Sequence, residues 1–318
     1  MKLTKERLIL LSIIIVLILY LLFHNSDRTL YQLPEINKIK LADISRIEII
    51  QKGKDIILEK RDKNWQIDPK GYPADPDKID KILNMIANLT VTELISKSKN
   101  YLRYDLTDDK KLTLKGLSGN TLKREIDIGK TASTHRHTHI RLPGDPNVYF
   151  ARGDFRRDLD VDVNDLRDMK ILSFIPGDIQ QISIFRGKAE LHLSQMIKKV
   201  EADKDNQGRS HEIITWQTDE GKTVETTDID ELFYTLSDID CEKYLDNRPK
   251  SKFKDPVFTI KLKSNILYEL SVFEPIDKES KDFPGISATN NYTFELSEST
   301  VKTIKDKLDK VIKYMRKP

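Results

Sequence analysis

The stretch ISRIEII, from Ile44 to Ile50, alternates apolar and polar residues and leads into a turn at Gly53. A second stretch, IQQISIF from Ile179 to Phe185, has the same alternation and leads into a turn at Gly187. Because successive side chains of a strand point to opposite faces of a sheet, each stretch predicts the start of a β-hairpin with one buried face. Two such hairpins in one chain indicate an internal repeat.

The residues after each hairpin also correspond. Both hairpins lead to a Trp-Gln pair, which begins at Trp65 in the first copy and at Trp216 in the second. Apolar residues at helical spacing then predict an amphipathic helix in each copy: Ile79, Ile82, Leu83, Ile86 and Leu89, then Ile229, Leu232, Phe233, Leu236 and Ile239. Asp75 before Pro76 supplies an N-cap for the first helix. Alternating stretches follow both helices, so the sequence predicts an α+β fold of two tandem related modules, each with a hairpin, an amphipathic helix and further antiparallel strands.

The segment from Leu8 to Phe23 is sixteen residues without a charge. As a helix it reaches roughly 24 Å, a little less than the hydrocarbon core of a bilayer. No small-residue cleavage pattern follows Phe23, which favours an uncleaved transmembrane anchor over a signal peptide. Lysine and arginine are concentrated before the segment, so we expect the N-terminus in the cytoplasm and the bulk of the chain outside the inner membrane. The expected organisation is an anchor over residues 1–30 and modules over residues 31–174 and 175–318.

Three further segments complete this organisation. The joint between the modules, LRDMKILSF (residues 166–174), is predicted to be helix-like, which favours rigid packing over a flexible linker. The polar run from Glu201 to His211 predicts an exposed loop inserted in the second hairpin. Ser297 is expected to cap a C-terminal helix that closes the second core with the apolar stripe Val301, Ile304, Leu308, Val311 and Met315.

Charge and cysteine content exclude some classes of function. Lysine and arginine total 54 against 51 acidic residues, and this near balance argues against a nucleic-acid-binding protein. Cys241 is the single cysteine, so no intramolecular disulfide can form. A small buried hydrophobic residue is the commonest role for such a cysteine, although a free thiol or an intermolecular bridge remains open.

One histidine cluster provides a candidate metal site. His135, His137 and His139 are spaced so that an extended strand would project all three imidazoles to one face, where zinc or copper can be held. The stretch from Thr131 to His139 looks more like a loop, and Arg136 is interleaved, so a solvated turn is the favoured interpretation.

Other partial motifs do not predict chemistry. The run from Gly129 to Thr131 imitates the end of a phosphate-binding loop, but Arg124 stands where that motif needs glycine, so a tight turn after a strand is expected. Asp158, Asp160 and Asp162 resemble the start of a calcium loop without its glycine and glutamate, so we expect exposed acids. The common catalytic and cofactor-binding motifs are absent from the sequence, which predicts a non-catalytic protein without a cofactor.

These features resemble the bacterial family catalogued as domain of unknown function four-three-four-zero. The resemblance is carried in order by the strand at Ile44, Trp65, Ala74-Asp75, Tyr104-Asp105-Leu106, Ile128-Gly129-Lys130, Arg141-Leu142-Pro143-Gly144, Val148-Tyr149, Leu166-Arg167-Asp168 and Ile171-Leu172-Ser173-Phe174. Asp105 departs from the glycine that such proteins often carry, and the second copy lacks clear counterparts of Ile128-Gly129-Lys130. The resemblance implies a single-pass extracytoplasmic protein that serves an ABC-type transporter of the gliding-motility kind as an auxiliary or scaffold. The alternative is a metal- or solute-binding envelope protein that uses the histidines or a pocket between the modules.

Overall fold

The computed structural model describes residues 5–23, 31–200, 211–277 and 279–313. Within the chain two compact units are separated by their contacts, Met1–Leu166 (unit 1) and Arg167–Pro318 (unit 2). Each unit has its own large antiparallel sheet and its own helices, so each is described by itself.

The described part of unit 1 contains one nine-stranded antiparallel sheet in the order β4-β3-β2-β1-β6-β7-β8-β9-β5. Its strands are β1 Arg46–Gln51, β2 Lys54–Arg61, β3 Asn64–Ile67, β4 Tyr72–Pro73, β5 Val91–Ser96, β6 Leu112–Ser118, β7 Thr121–Thr131, β8 His137–Arg141 and β9 Val148–Arg152. Its helices are α1 Lys5–Phe23, α2 Pro76–Ala87, α3 Phe155–Leu159 and α4 Val163–Leu166. The N-terminal hairpin joins the rest of the sheet through β1 and β6, where Glu48 pairs with Lys115.

Helix α2 covers one face of this sheet. Asp75 caps it as the sequence predicts, because its carboxylate accepts from the amides of Asp77 at 2.9 Å and Lys78 at 3.2 Å. The apolar stripe of α2 is buried, and Ile86 lies so close to Gly116 of β6 that an added Cβ would be 2.6 Å from it. The helix therefore packs directly on the strand that pairs with β1.

The described part of unit 2 contains a second nine-stranded antiparallel sheet, β14-β13-β12-β11-β17-β18-β19-β20-β16, and a two-stranded sheet, β10-β15. Its strands are β10 Lys170–Ser173, β11 Gln181–Arg186, β12 Ala189–Val200, β13 His211–Thr218, β14 Thr223–Val224, β15 Asp238–Asp240, β16 Lys243–Tyr244, β17 Phe258–Lys263, β18 Leu267–Val272, β19 Phe283–Ser287 and β20 Phe294–Leu296. Its helices are α5 Thr226–Leu236 and α6 Glu298–Ile312. When the large sheets are compared strand by strand, both have the same order of connections.

The core of unit 2 lies between its large sheet and its two helices. Trp216 of β13 is buried and meets Phe233 of α5 edge to face, with 5.4 Å between the ring centroids. The α6 residues of the predicted stripe from Val301 to Val311 join this core, and Ser297 caps the helix by accepting from the Thr300 amide at 3.2 Å. Met315 lies outside the described residues.

The expectation of an α+β fold is wrong, because each unit is dominated by a large antiparallel sheet and has few helices. Some segments whose polar residues suggested loops are strands in the structure. The clearest case is β8, where the buried polar residues Thr138 and His139 hide the alternation. Similarly, the joint expected to be helix-like forms β10, which pairs with β15. The loop expected from Glu201 lies outside the described residues, except that His211 begins β13.

The expected transmembrane helix is also wrong. In the part of the chain that the structure describes, no helix is both long enough and apolar enough to cross a membrane. A span needs about 20 consecutive apolar residues, whereas the uncharged run from Leu8 to Phe23 has sixteen.

A buried arginine organises the beginning of unit 2. Arg167 is 1% exposed, and its Nη1 donates to both carboxylate oxygens of Asp246 at 3.0 Å. The guanidinium lies over the Tyr244 ring, 3.9 Å from its centroid, and 5.4 Å from that of Tyr292. The Tyr244 hydroxyl donates to the carbonyl of Asp168 at 2.6 Å, which ties the same cluster to the chain beside Arg167.

We expect Asp246→Ala to lower the free energy of unfolding by about 3 kcal/mol, because it leaves a buried guanidinium without its carboxylate. Arg167→Met should cost less, and adding it to Asp246→Ala should restore part of the loss. Urea unfolding of the two single variants and the double variant measures this coupling. Asp309→Ala, which removes the partner of Arg186 in an exposed pair, is the control and should cost less than about 1 kcal/mol. If the losses in the free energy of unfolding of the two single variants simply added up in the double variant, the proposed coupling between Arg167 and Asp246 would be contradicted.

Candidate functional site

The three histidines considered as a candidate metal site lie in different surroundings. His137 and His139 are on β8 and flank Phe150, with ring centroids 5.5 and 4.7 Å away. His135 is in the preceding turn, with a φ of 55° and a side chain that is 79% exposed, 3.8 Å from a carboxylate oxygen of Asp154. Across the described residues, no group of three or more His, Cys, Asp or Glu side chains is placed to hold a metal ion.

His139 has a clear structural environment. Its Nδ1 lies 2.8 Å from the carbonyl oxygen of Lys130, and because a carbonyl only accepts, this nitrogen carries the proton. Burial lowers the pKa of His139, so the ring is neutral at physiological pH. It packs between Tyr104 and Phe150 as part of the sheet surface.

Gly129 is placed by a close backbone contact. The expected turn is wrong, since Gly129 lies within β7. A Cβ at this position would be 2.2 Å from the carbonyl oxygen of Tyr104 and 2.9 Å from Cγ of Leu106. Only glycine therefore allows the segment around Tyr104 to approach β7.

The three acidic residues that resemble the start of a calcium loop do not point to one common site. Asp158 lies 3.5 Å from Arg157, Asp160 accepts from Arg156 at 3.4 Å, and Asp162 pairs with Lys54. The three carboxylates thus face three different cations. Cys241 is buried, and burial raises the pKa of its thiol to about 12, so it is a protonated core residue at neutral pH.

Unit 1 presents an open polar groove that the sequence does not reveal. Its cavity is ≈ 500 Å³ and is lined by Lys99, Tyr101, Lys111, Glu125, Asp127, Arg141 and the loop at residues 142–146. We call this the unit 1 groove. Asp127 and Arg141 are directly opposite each other on β7 and β8, so the sheet register brings them together.

Asp127 is the most connected polar residue of the groove. Thr113 donates to its Oδ1 at 2.7 Å, Arg141 Nε donates to its Oδ2 at 3.1 Å, and Lys111 Nζ is 3.3 Å from the same oxygen. Burial opposes ionisation, but the hydrogen bonds from Arg141 and Thr113 and the charge of Lys111 outweigh it and hold the pKa of Asp127 below its ordinary value. The carboxylate is therefore ionised and fixed in place.

The rim of the groove is held by its own hydrogen bonds. The Tyr101 hydroxyl donates to the carbonyl of Pro146 at 3.0 Å, and Arg141 lies over the Tyr101 ring, 4.6 Å from its centroid. The carboxylate of Asp145 accepts from the amide of Asn147 at 2.9 Å and from the Tyr149 hydroxyl at 2.7 Å. A rim held in this way is pre-organised for binding.

Unit 2 contains a row of hydrogen-bonded side chains, Ser183, His192 and Glu190, that the sequence did not predict. His192 Nδ1 is 2.8 Å from the Ser183 hydroxyl, and its Nε2 is 2.8 Å from a carboxylate oxygen of Glu190. Such a row can activate a serine, but acyl transfer also needs donors for the oxyanion. Ser183 lies inside β11, between β12 and β17, so its main chain belongs to the sheet ladder. Since Ser183 and His192 are directly opposite, we interpret the row as cross-strand pairing on the outer face.

The ionised state of Asp127 predicts a contribution to stability that depends on pH. Because its folded pKa is below the unfolded value, the contribution is fully present above the unfolded value, about 3.9, and is lost as the pH falls through the folded value. Asp127→Asn should therefore be less stable than the parent at neutral pH, and the difference should shrink below about pH 4. Urea unfolding at a series of pH values measures it. A difference that stays constant down to the acid limit would contradict this account.

Gly129→Ala should lower the free energy of unfolding by at least about 2 kcal/mol, because the Tyr104 carbonyl must move to admit the Cβ. Gly177→Ala is the matched control, since a Cβ there meets no atom within 4 Å; it should change stability by less than about 0.5 kcal/mol. Equal effects of the two substitutions, measured by urea unfolding, would refute the close contact.

Comparison with known proteins gives one match. No curated protein and no solved structure matches the chain. A family model matches once, over residues 65–256, a range that begins in unit 1, includes the whole unit 1 groove and ends in unit 2. The single match does not support two tandem copies of the family domain. Because the matched range is more than half of the chain, the protein belongs to the family described as "Domain of unknown function (DUF4340)".

Proposed function

We propose that this protein is a non-catalytic binding protein, an auxiliary component of a membrane transport assembly, and that the unit 1 groove contacts its partner. The observation that carries the proposal is the pre-organised groove around Asp127 and Arg141. The whole groove lies within the range matched by the family model, which supports a role common to the family.

The size of the unit 1 groove limits the occupant. A cavity of ≈ 500 Å³ is in the range of small-ligand sites, so its size matches a short segment of a partner. The groove is open, and its rim residues Pro143 and Gly144 are exposed. A surface loop or terminus of a transport subunit fits these dimensions.

The charges of the groove limit the chemistry of the occupant. Three cations, Lys99, Lys111 and Arg141, are balanced by three carboxylates, Glu125, Asp127 and Asp145. Arg141 and Asp127 already neutralise each other. Balanced charges favour a polar segment that offers hydrogen-bond donors and acceptors over one of high net charge.

We also propose that the two units are tandem copies of one module. The identical strand order of the two large sheets supports a duplication. The extracytoplasmic location stays a prediction from the sequence, and a reporter fused to the C-terminus tests it.

The transport role is tested by cross-linking in cells, purification of the full-length protein and identification of the attached transport subunits. We expect those subunits with the parent protein and a large loss of them when Lys99→Glu and Pro143→Glu are combined, because both changes put negative charge on the groove rim. Lys188→Glu, an exposed residue of unit 2, is the matched control and should keep the subunits. Recovery of no transport subunit with the parent protein, or undiminished recovery with the rim variant, would reject the proposal.

A further inference from the structure

Unit 2 carries a β-ribbon that has no counterpart in unit 1. In unit 1, Trp65 pairs with Lys60, and the hairpin turns at Asp62 and Lys63. In unit 2, Trp216 pairs with Gln195, but β12 and β13 continue to pair beyond this point, as far as Val200 and His211. We call residues 195–200 with residues 211–215 the β-arm. It is an insertion that the common architecture does not need.

The β-arm exposes aliphatic side chains on both of its faces. Met196, Ile197, Ile213 and Ile214 are 44–56% exposed. Ile197 and Ile214 are directly opposite each other on one face. Met196 and Ile213 lie on the other face, because adjacent residues of a strand alternate. A two-stranded ribbon with such faces is marginally stable alone, and its apolar surface indicates an interaction.

One edge of the β-arm is suited to pairing. In the described residues, β14 pairs with β13 at Trp216 and Gln217, and no strand pairs with the same side of residues 211–215. The Thr218 amide donates to the backbone carbonyl of Lys222 at 2.9 Å, on the side of β13 where β14 lies. Since amides alternate in direction along a strand, the Ile214 amide points outward on that side.

The other edge of the β-arm is less suited to pairing. The Gln195 amide donates to the carbonyl of Gln180 on the β11 side at 2.9 Å, so by the same alternation the Ile197 amide points outward on that side. The sequence places two consecutive lysines, Lys198 and Lys199, on β12. Edge lysines oppose pairing between strands, whereas residues 213–215 of β13 are Ile-Ile-Thr. The β13 edge is therefore the better acceptor of an added strand.

We propose that a second copy of this chain pairs antiparallel along the β13 edge of the β-arm and forms a two-fold symmetric dimer. A two-fold axis perpendicular to the ribbon keeps each face on the same side in both copies. Ile197 and Ile214 of the two copies then form one four-residue aliphatic cluster, and Met196 and Ile213 form another on the opposite face. A single self-complementary edge thus accounts for apolar residues on both faces. This inference is independent of the unit 1 groove.

The oligomeric state of the full chain tests the proposal. Sedimentation velocity over a dilution series should show a reversible dimer for the parent protein. Ile214→Pro removes the outward amide of β13 and should weaken dimerisation about tenfold or more. Ile197→Pro is the matched control, because it removes the directly opposite isoleucine and an outward amide from the β12 edge; it should weaken dimerisation less.

Thiol cross-linking provides a second test that does not need a proline. Ile213→Cys should cross-link two copies through a short reagent, because the residue lies on the paired edge. Met196→Cys, on the same face but on β12, should not, since three strand spacings of about 4.8 Å separate residue 196 of one copy from residue 196 of the other. Cys241 is buried and does not compete. A parent chain that stays monomeric at its highest soluble concentration, or a dimer that Ile197→Pro weakens as much as Ile214→Pro, would overturn the proposal, as would cross-linking of Met196→Cys alone.

Discussion

The pairing of β1 with β6 is the constraint on which unit 1 depends. Glu48 and Lys115 are opposite each other although they are far apart in the sequence, so their pairing closes a long loop at an entropic cost. Burial of Ile47 and Ile49, together with the aliphatic stripe of α2, offsets that cost. The pairing of β11 with β17 has the same position in unit 2. Without this contact, each sheet would separate into a short hairpin and an unsupported remainder.

Each unit has a buried charged side chain that is stabilised by several partners, Asp127 in unit 1 and Arg167 in unit 2. Asp127 in unit 1 is surrounded by three donors, Lys111 and Thr113 at the start of β6 and Arg141 at the end of β8. Arg167 in unit 2 is held by one carboxylate and by the faces of two tyrosines. In both cases the partners come from distant parts of the chain, so a charge that is costly to bury is stabilised only in the correct tertiary arrangement. The two clusters therefore favour one specific packing of the chain over merely compact alternatives.

The sequence predicts the repeated elements well where apolar periodicity is strong. The hairpins, the Asp75-capped helix and the final helix follow from local spacing and capping, which act within a few residues. β8 was missed because buried Thr138 and His139 are polar, and the carbonyls of Gly153 and Lys130 that satisfy them come into place only when β8 lies between β7 and β9. The unit 1 groove was missed for the same reason. Arg141 belongs to a recognised run of residues, but its partner Asp127 is identified only by the register of β7 and β8.

The edges of the two large sheets explain why the β-arm is unusual. Three of the four outermost strands of the large sheets, β4, β14 and β16, are two residues long, whereas the fourth, β5, has six. β4 also ends in Pro73, which cannot donate to a neighbouring strand. Short edges of this kind prevent unwanted pairing between sheets. The β-arm departs from this pattern, since it extends a strand edge beyond the sheet and places aliphatic residues beside it. Most outer strands of the large sheets are short, whereas the edge of the β-arm is long and has exposed aliphatic residues, and this contrast supports the proposed partner strand.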